Sequence, residues 1–387
     1  MEDKIIIINA RIFDGENFIK TGRVRIVGGI IREVTGNNTG LPAGYRVIDI
    51  NNRILSPGFI DIHTHGAGGI DSMEVSSLKR AQNMSKAYAL TGVTSFLLAC
   101  FFENNNNSSL AVSYFGKIKP AGARFLGHYL EGPFINPVKR GMIPGRFMLN
   151  PGLDMKKTMA HVLKRYGSLK VMTLAPELKD FGEAVGLIRK KQIIPAFGHS
   201  AAGYDETKRA LKSGIRHVTH LFNAMEGFHH RNPGPFPAIA EDPKVTAEII
   251  ADGAHVHPSV VKAAVRLLGH ERVILITDST AMLGHKDGKY YLGSTGAFTV
   301  KSGAAYLKDN TLIGSCTTLL QMAINVKKWC MLKNEEVLRM VTYNPAKLLG
   351  FPRVGRITAG FFADLNVLDD NLKLYQVFTG GRRVLQA

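Results

Sequence analysis

Cysteine is scarce in this 387-residue chain: three thiols, Cys100, Cys316 and Cys330, with no CxxC pair among them. So odd and dispersed a set argues against a disulfide framework and a structural zinc–thiolate site, and favours a reducing compartment. Long apolar runs are missing as well. The opening stretch Ile5-Ile6-Ile7-Ile8 is too short for a signal peptide, and no window approaches the roughly 18 apolar residues of a membrane span. The expectation is a cytoplasmic protein with no membrane partner. Acidic residues are few, 31 Asp and Glu against 49 Lys and Arg, a formal charge of +18. Such an excess gathers anions. The basic residues are nevertheless scattered, in no run longer than three and without interleaved aromatics, so no nucleic-acid partner is expected.

Internal repeats are absent, and no GxGxxG follows a first strand, which disfavours a doubly wound nucleotide-binding sheet. The length suits one large barrel plus a small accessory domain. Residues 1–56 read as short strands at 4–9, 23–27, 30–34 and 45–50, broken by Asp14-Gly15, Gly28-Gly29 and Gly36-Asn37. The tail 355–387 reads alike, with strands at 355–357, 363–368, 375–378 and 383–385. Together the two ends predict a small β-sandwich domain. Between them, apolar runs recur at 58–62, 93–99, 125–130, 170–174, 193–196, 217–221, 247–250 and 273–276, with helical stretches such as 77–90, 153–166 and 204–212. Eight β units separated by helix predict an α/β fold, a (β/α)8 TIM-like barrel over 57–354. The asparagine-rich patch 104–107 reads as a solvated loop.

In such a barrel the chemistry sits at the C-terminal strand ends, and polar residues interrupt the apolar runs there. Strand one ends Asp61-Ile62-His63-Thr64-His65; residues two apart share a face, so both imidazoles can grip one metal. Strand three ends in Glu131, strand five in His199, strand six in His220 and strand eight in Asp278. Taken singly each reads as a cap or a buried hydrogen-bonding residue; six at the ends of five strands predict a metal site. Imidazole and carboxylate without thiolate suit zinc best, with iron or manganese as alternatives, in a site with an open position. Such an ion lowers the pKa of a bound water and polarises a carbonyl. Amide hydrolysis then needs a base that returns the proton to the leaving nitrogen, and Asp278 is the candidate.

Several segments are specific enough to carry a resemblance: Ser56-Pro57-Gly58-Phe59-Ile60-Asp61-Ile62-His63-Thr64-His65-Gly66, Leu130-Glu131-Gly132-Pro133-Phe134, Gly198-His199-Ser200, Thr219-His220-Leu221-Phe222-Asn223-Ala224-Met225, Arg231-Asn232-Pro233-Gly234, Asp252-Gly253-Ala254-His255-Val256-His257-Pro258, Thr277-Asp278-Ser279 and Asn344-Pro345-Ala346-Lys347-Leu348-Leu349-Gly350. In this order they resemble the N-acetylglucosamine-6-phosphate deacetylase family of the amidohydrolase superfamily, nearly end to end. The resemblance implies Glu131, His199 and His220 as ligands of one divalent metal, His63 and His65 completing a second site, so one or two ions per chain. It implies Asp278 as the acid/base, and a phosphorylated N-acetyl amino sugar as substrate. Asn223 and Ala224 would offer donors to the sugar phosphate, Arg231 would pair with the phosphate, and His255 would touch the sugar or the scissile carbonyl. His229, His230 and His257 read as structural residues or neighbours of the site. A homodimer or higher homo-oligomer is the expected assembly.

The family pattern breaks in one segment. A histidine expected a dozen residues after the Glu ligand, in a KG-x-H-x-P context, is Ile143 within Lys139-Arg140-Gly141-Met142-Ile143-Pro144-Gly145. The family's histidine just before the Glu is Tyr129, with His128 one position off register and the nearest candidate to fill the missing role. Ile143 makes the pocket more apolar, which predicts an altered N-acyl specificity, gluco versus galacto for instance. Dihydroorotase-like and hydantoinase-like enzymes are disfavoured, because strand four ends Met172-Thr173-Leu174-Ala175-Pro176 without the lysine they carboxylate. A non-catalytic barrel is disfavoured because no ligand is lost.

Overall fold

Eight segments are buried along nearly every residue, as strands covered on both faces must be. They are β1 (Phe59–Thr64), β2 (Val93–Cys100), β3 (Arg124–Leu130), β4 (Leu169–Leu174), β5 (Ile194–Phe197), β6 (His217–Val218), β7 (Thr246–Ile249) and β8 (Val273–Leu275) in a computed structural model. The residues it describes are 3–19, 21–36, 42–102, 113–118, 122–148, 155–292 and 296–386. The asparagine-rich patch 104–107, Asn37 of the Gly36-Asn37 turn and the first two residues of the helix expected at 153–166 lie outside them.

The eight strands pair in parallel in chain order. The seam between last and first is bridged by the chain just past β8: Asp278 N–H donates to the His63 carbonyl at 2.9 Å and His65 N–H to that of Ser279 at 2.9 Å. The Asp61 carboxylate spans the same seam, accepting from the Thr277 N–H and hydroxyl. Burial raises its carboxyl to about 7 against the pull of those bonds. The barrel is therefore closed beside the residues that carry the chemistry.

Helices form where a cap and an apolar face coincide. Leu78–Leu90 starts at Ser77, whose hydroxyl accepts from Arg80 N–H, and buries Ala81, Met84 and Tyr88. Pro258–Leu268 opens with proline in its first turn, and its N-cap His257 accepts from Ser259 N–H, a local structural use of that histidine. Strand β6 is shorter than the expected 217–221, because the chain leaves strand geometry at Thr219 to aim His220 into the barrel.

Both chain ends join one further eight-stranded sheet. The strand Lys4–Ile12 pairs antiparallel with Gly22–Val27 on one side; on the other its first half pairs with Arg46–Asp49 and its last residues with Ile54–Pro57. Leu365–Leu368, Leu374–Thr379 and Arg382–Gln386 extend the sheet beyond Ile54–Pro57. Ile5, Ile7, Ile12, Val24, Ile26, Leu55, Val367 and Phe378 form its core. The largest departure from the expected strand–helix alternation among the described residues comes late in the chain. Between β8 and the helix Leu319–Cys330 runs an antiparallel meander, Gly288–Leu292, Gly296–Lys301, Ala304–Tyr306 and Leu312–Ser315, with its own core of Met282, Phe298, Val300, Ala305 and Cys316.

Candidate metal centre

The barrel mouth gathers the ligand-type side chains around Glu131. Its Oε1 lies 2.7 Å from His199 Nε2 and 2.9 Å from His220 Nε2, and the two imidazole nitrogens are 3.1 Å apart. Its Oε2 lies 3.3 Å from His65 Nε2, which is also 3.3 Å from Asp278 Oδ1. His63 Nε2 stands 3.7 Å from Asp278 Oδ1 and 4.0 Å from Glu131 Oε1. Two groups with metal-ligand spacing result, Glu131–His199–His220 and His63–His65–Glu131.

Backbone distortion aims these groups. His199, His220 and Asp278 take positive φ of 49°, 24° and 44°, unusual for residues with a Cβ, and such strain clusters at functional sites. Gly198 prepares the turn at His199: a Cβ there would meet Thr219 and Thr173 at 2.8 and 2.9 Å. Only glycine lets the strand end come this close to its neighbours.

The tautomers follow from the partners. The Lys139 carbonyl can only accept, so His199 donates from Nδ1 at 2.7 Å. His199 Nε2 then faces a carboxylate oxygen 2.7 Å away, a contact that a proton on Nε2 or a cation held by both atoms satisfies. Burial alone would raise the Glu131 carboxyl, yet the histidines around it, His199 foremost, hold it well below the ordinary range. Burial likewise opposes ionisation of Asp278, and His63 and His65 overcome it and hold its carboxyl low. Burial would lower the His65 imidazole, but its bonds to Asp278 and Glu131 raise it to about 10. The buried Nε2 of His63 and Nδ1 of His220 have no hydrogen-bond partner among the described residues. Two ionised carboxylates, an orphaned imidazole nitrogen and a site that protons must otherwise neutralise fit a divalent cation.

A layer behind the site was not foreseen. Glu248 in β7 is fully buried and meets His63 Nδ1 at 3.0 Å, His217 Nε2 at 2.9 Å and the His220 N–H at 3.1 Å. Burial opposes its ionisation, but His63 and His217 bring its carboxyl down to about 2. Glu177, just beyond β4, accepts from Asn136 Nδ2, the Ser200 hydroxyl and Ala201 N–H, tying the loop after β3 to the one carrying His199. The available signal was a charge inside an apolar strand, Ala247-Glu248-Ile249-Ile250.

Tyr129 faces inward and stacks on His63, centroids 4.2 Å apart, its hydroxyl bonded to Thr219. His128 cannot replace the missing pocket histidine. Alternation along the strand turns it to the outer face, where it bonds Ser168 at 2.8 Å and packs edge-on to Phe125 and Tyr166. Burial lowers its imidazole to about 4. Ile143 is 3% exposed and packs with Ile135 and Phe147, in a cluster that includes Phe101, whose ring lies against His65.

The expected substrate residues lie on the loops after β6 and β7. Asn223, half-buried, donates to the carbonyls of His220 and Leu221; the Ala224 carbonyl accepts from Ser200 N–H. Arg231 is exposed beside His229 and His230 and makes no ion pair with a described residue. His255 is held by Asp252 at 2.6 Å. Neither Arg231 nor His255 bonds to the cluster around Glu131 among the described residues.

Residues 183–384 match the amidohydrolase family. The N-acetylglucosamine-6-phosphate deacetylase of Bacillus subtilis (strain 168) is 34% identical over 382 residues, 97% of this chain and 95% of its own. The chain belongs to the N-acetylglucosamine-6-phosphate deacetylase family. The N-acetylgalactosamine-6-phosphate deacetylase of Escherichia coli O157:H7 is 27% identical, with 96% of this chain and 97% of the relative covered. A mutant Mycobacterium smegmatis N-acetyl-D-glucosamine-6-phosphate deacetylase, solved in complex with N-acetyl-D-glucosamine-6-phosphate, superposes with a TM-score of 0.86 at 29% identity, covering 99% of this chain and 100% of that one. Family membership implies a divalent metal, and the site just described suits one. No helix among the described residues is long and apolar enough to cross a membrane.

Proposed function

We propose that this protein removes the acetyl group from an N-acetylated amino-sugar phosphate, N-acetylglucosamine 6-phosphate or a close relative such as N-acetylgalactosamine 6-phosphate. The products are acetate and the amino-sugar phosphate. The observation that carries the reading is the convergence of His63, His65, His199, His220 and Asp278 on Glu131 at the mouth of a barrel. Glu131, His199 and His220 would hold one ion and His63 and His65 would complete a site for a second; zinc would suit this donor set best, iron or manganese next. A divalent ion supplies a water of lowered pKa and a polarised amide carbonyl.

Asp278, a carboxylate beside His63 and His65, takes a proton from the attacking water and returns it to the departing amine nitrogen. Arg231 pairs with the phosphate, for which its planar fork is suited. Asn223 and the Ala224 backbone orient the sugar phosphate, and His255, braced by Asp252, contacts the sugar or the acetyl carbonyl. The formal charge of +18 favours capture of an anionic substrate. The test is acetate release by the metal-replete protein from both epimers of the N-acetylhexosamine 6-phosphate. Turnover of at least one is expected; none on either, with metal bound, would overturn the reading.

A further inference from the structure

A fully buried, ionised carboxylate is costly, and apolar replacement of such groups often stabilises a protein. Glu248 is therefore poorly explained by stability alone. Among the described residues its side chain's hydrogen-bond partners come from the wall that holds the candidate ligands: His63 in β1, His217 in β6 and the backbone of His220 just beyond it. A carboxylate can only accept, so the His63 ring must present Nδ1–H to Glu248 Oε2. In the neutral ring that a metal ligand must be, Nε2 is then a lone pair, buried, without a hydrogen-bond partner among the described residues and facing Glu131 and Asp278. Tyr129, stacked on the same ring, fixes its plane. The same Oε2 receives the His220 N–H at 3.1 Å, at the residue whose φ of 24° is the most unusual in the cluster.

We infer that Glu248 is a positioning residue for both halves of the site: it selects the Nδ1–H tautomer of His63 and anchors the strained backbone of His220. The inference rests on the metal-centre reading. Carboxylates that orient metal-bound histidines typically contribute 10–100-fold in metal affinity. In Glu248→Gln the amide oxygen can face His63 and His220 and the NH2 can face His217, which can accept by switching tautomer; Glu248→Ala removes the acceptor altogether.

The experiment is a zinc titration of the full chain, stripped with chelator, for wild type, Glu248→Gln and Glu248→Ala. It is paired with histidine side-chain NMR of zinc-loaded wild type, His63 being assigned by its loss in His63→Asn. Glu248→Ala should bind its weaker zinc equivalent about 10–100-fold less tightly, with Glu248→Gln in between. His63 should keep a protected Nδ1–H and respond to zinc at Nε2. Wild-type affinity in a folded Glu248→Ala, or a His63 ring carrying Nε2–H in the loaded protein, would overturn the inference. If the alanine variant does not fold, the NMR result serves the same end. A wild-type protein that takes up no zinc, iron or manganese would instead sink the metal-centre reading, and this inference with it.

Discussion

His199 and His220 reach the cavity from strand ends that have left strand geometry, whereas His63 lies within β1 and His65 one residue past its end, neither with a positive φ. The first pair meets one Glu131 oxygen within 2.9 Å, with φ values of 49° and 24°. The second pair stands 3.3 to 4.0 Å from the same carboxylate, steadied by neighbouring side chains: Glu248 and Tyr129 for His63, Phe101 for His65. Backbone strain holds one group tightly at a local energetic cost. Side-chain packing and hydrogen bonds hold the other more loosely, so it should respond more to changes behind it.

The change that removes this contrast altogether is Glu131→Ala, since both groups share that carboxylate. Metal content should collapse, and kcat/KM should fall beyond the ~10⁴-fold upper range of a lost acid/base. Elemental analysis and acetate release check this; a variant that stays metal-loaded and active would show the groups to be independent. Single changes separate them: His220→Ala should lose the tighter ion, and His65→Ala the weaker alone.

Asp278→Asn comes next. It keeps the ligand shell and removes the proton acceptor, so kcat should drop about 10²–10⁴-fold while the metal content of the purified variant stays at the wild-type level. Arg231 lies outside both groups, and Arg231→Ala should leave metal binding untouched. A charge-assisted hydrogen bond of about 1.5–3 kcal/mol corresponds to roughly 10–150-fold. That loss should appear in kcat/KM for phosphorylated substrates and vanish for unphosphorylated analogues. Equal losses on both would make Arg231 structural.

The smallest effect on turnover is expected from Ile143→His, which probes the packing behind His65. The side chain is 3% exposed among Ile135 and Phe147, so an imidazole there meets no evident partner. Stability should fall by about 1–3 kcal/mol, the cost of burying an unpaired polar group, with little change in the gluco-to-galacto ratio of kcat/KM. Thermal denaturation and assays on both epimers decide it. A ratio shifted strongly toward the gluco epimer would show that the new ring reaches the substrate.

Much of this was legible in the chain because barrel strands are short, apolar and interrupted where they end. The eight runs, and His63, His65, Glu131, His199, His220 and Asp278 at five of their ends, follow from short continuous apolar stretches, from the shared face of residues two apart and from the rule that chemistry sits at C-terminal strand ends. The meander Gly288–Leu292 to Leu312–Ser315 was missed because short strands with their own small core lack the long apolar runs that mark a barrel strand.

What the sequence determined by itself is the inventory: which ligand types exist, in what order, and on which strand ends, since these depend on local pattern alone. Only the tertiary structure decided orientation. It turned His128 out to Ser168 and Tyr129 in to His63, sank Ile143 into an apolar cluster, and carried Glu248 across to a ring 185 positions away in the chain. These outcomes depend on which strands become neighbours when the barrel closes. No local periodicity encodes that, because the energy of a buried carboxylate is set by partners distant in sequence.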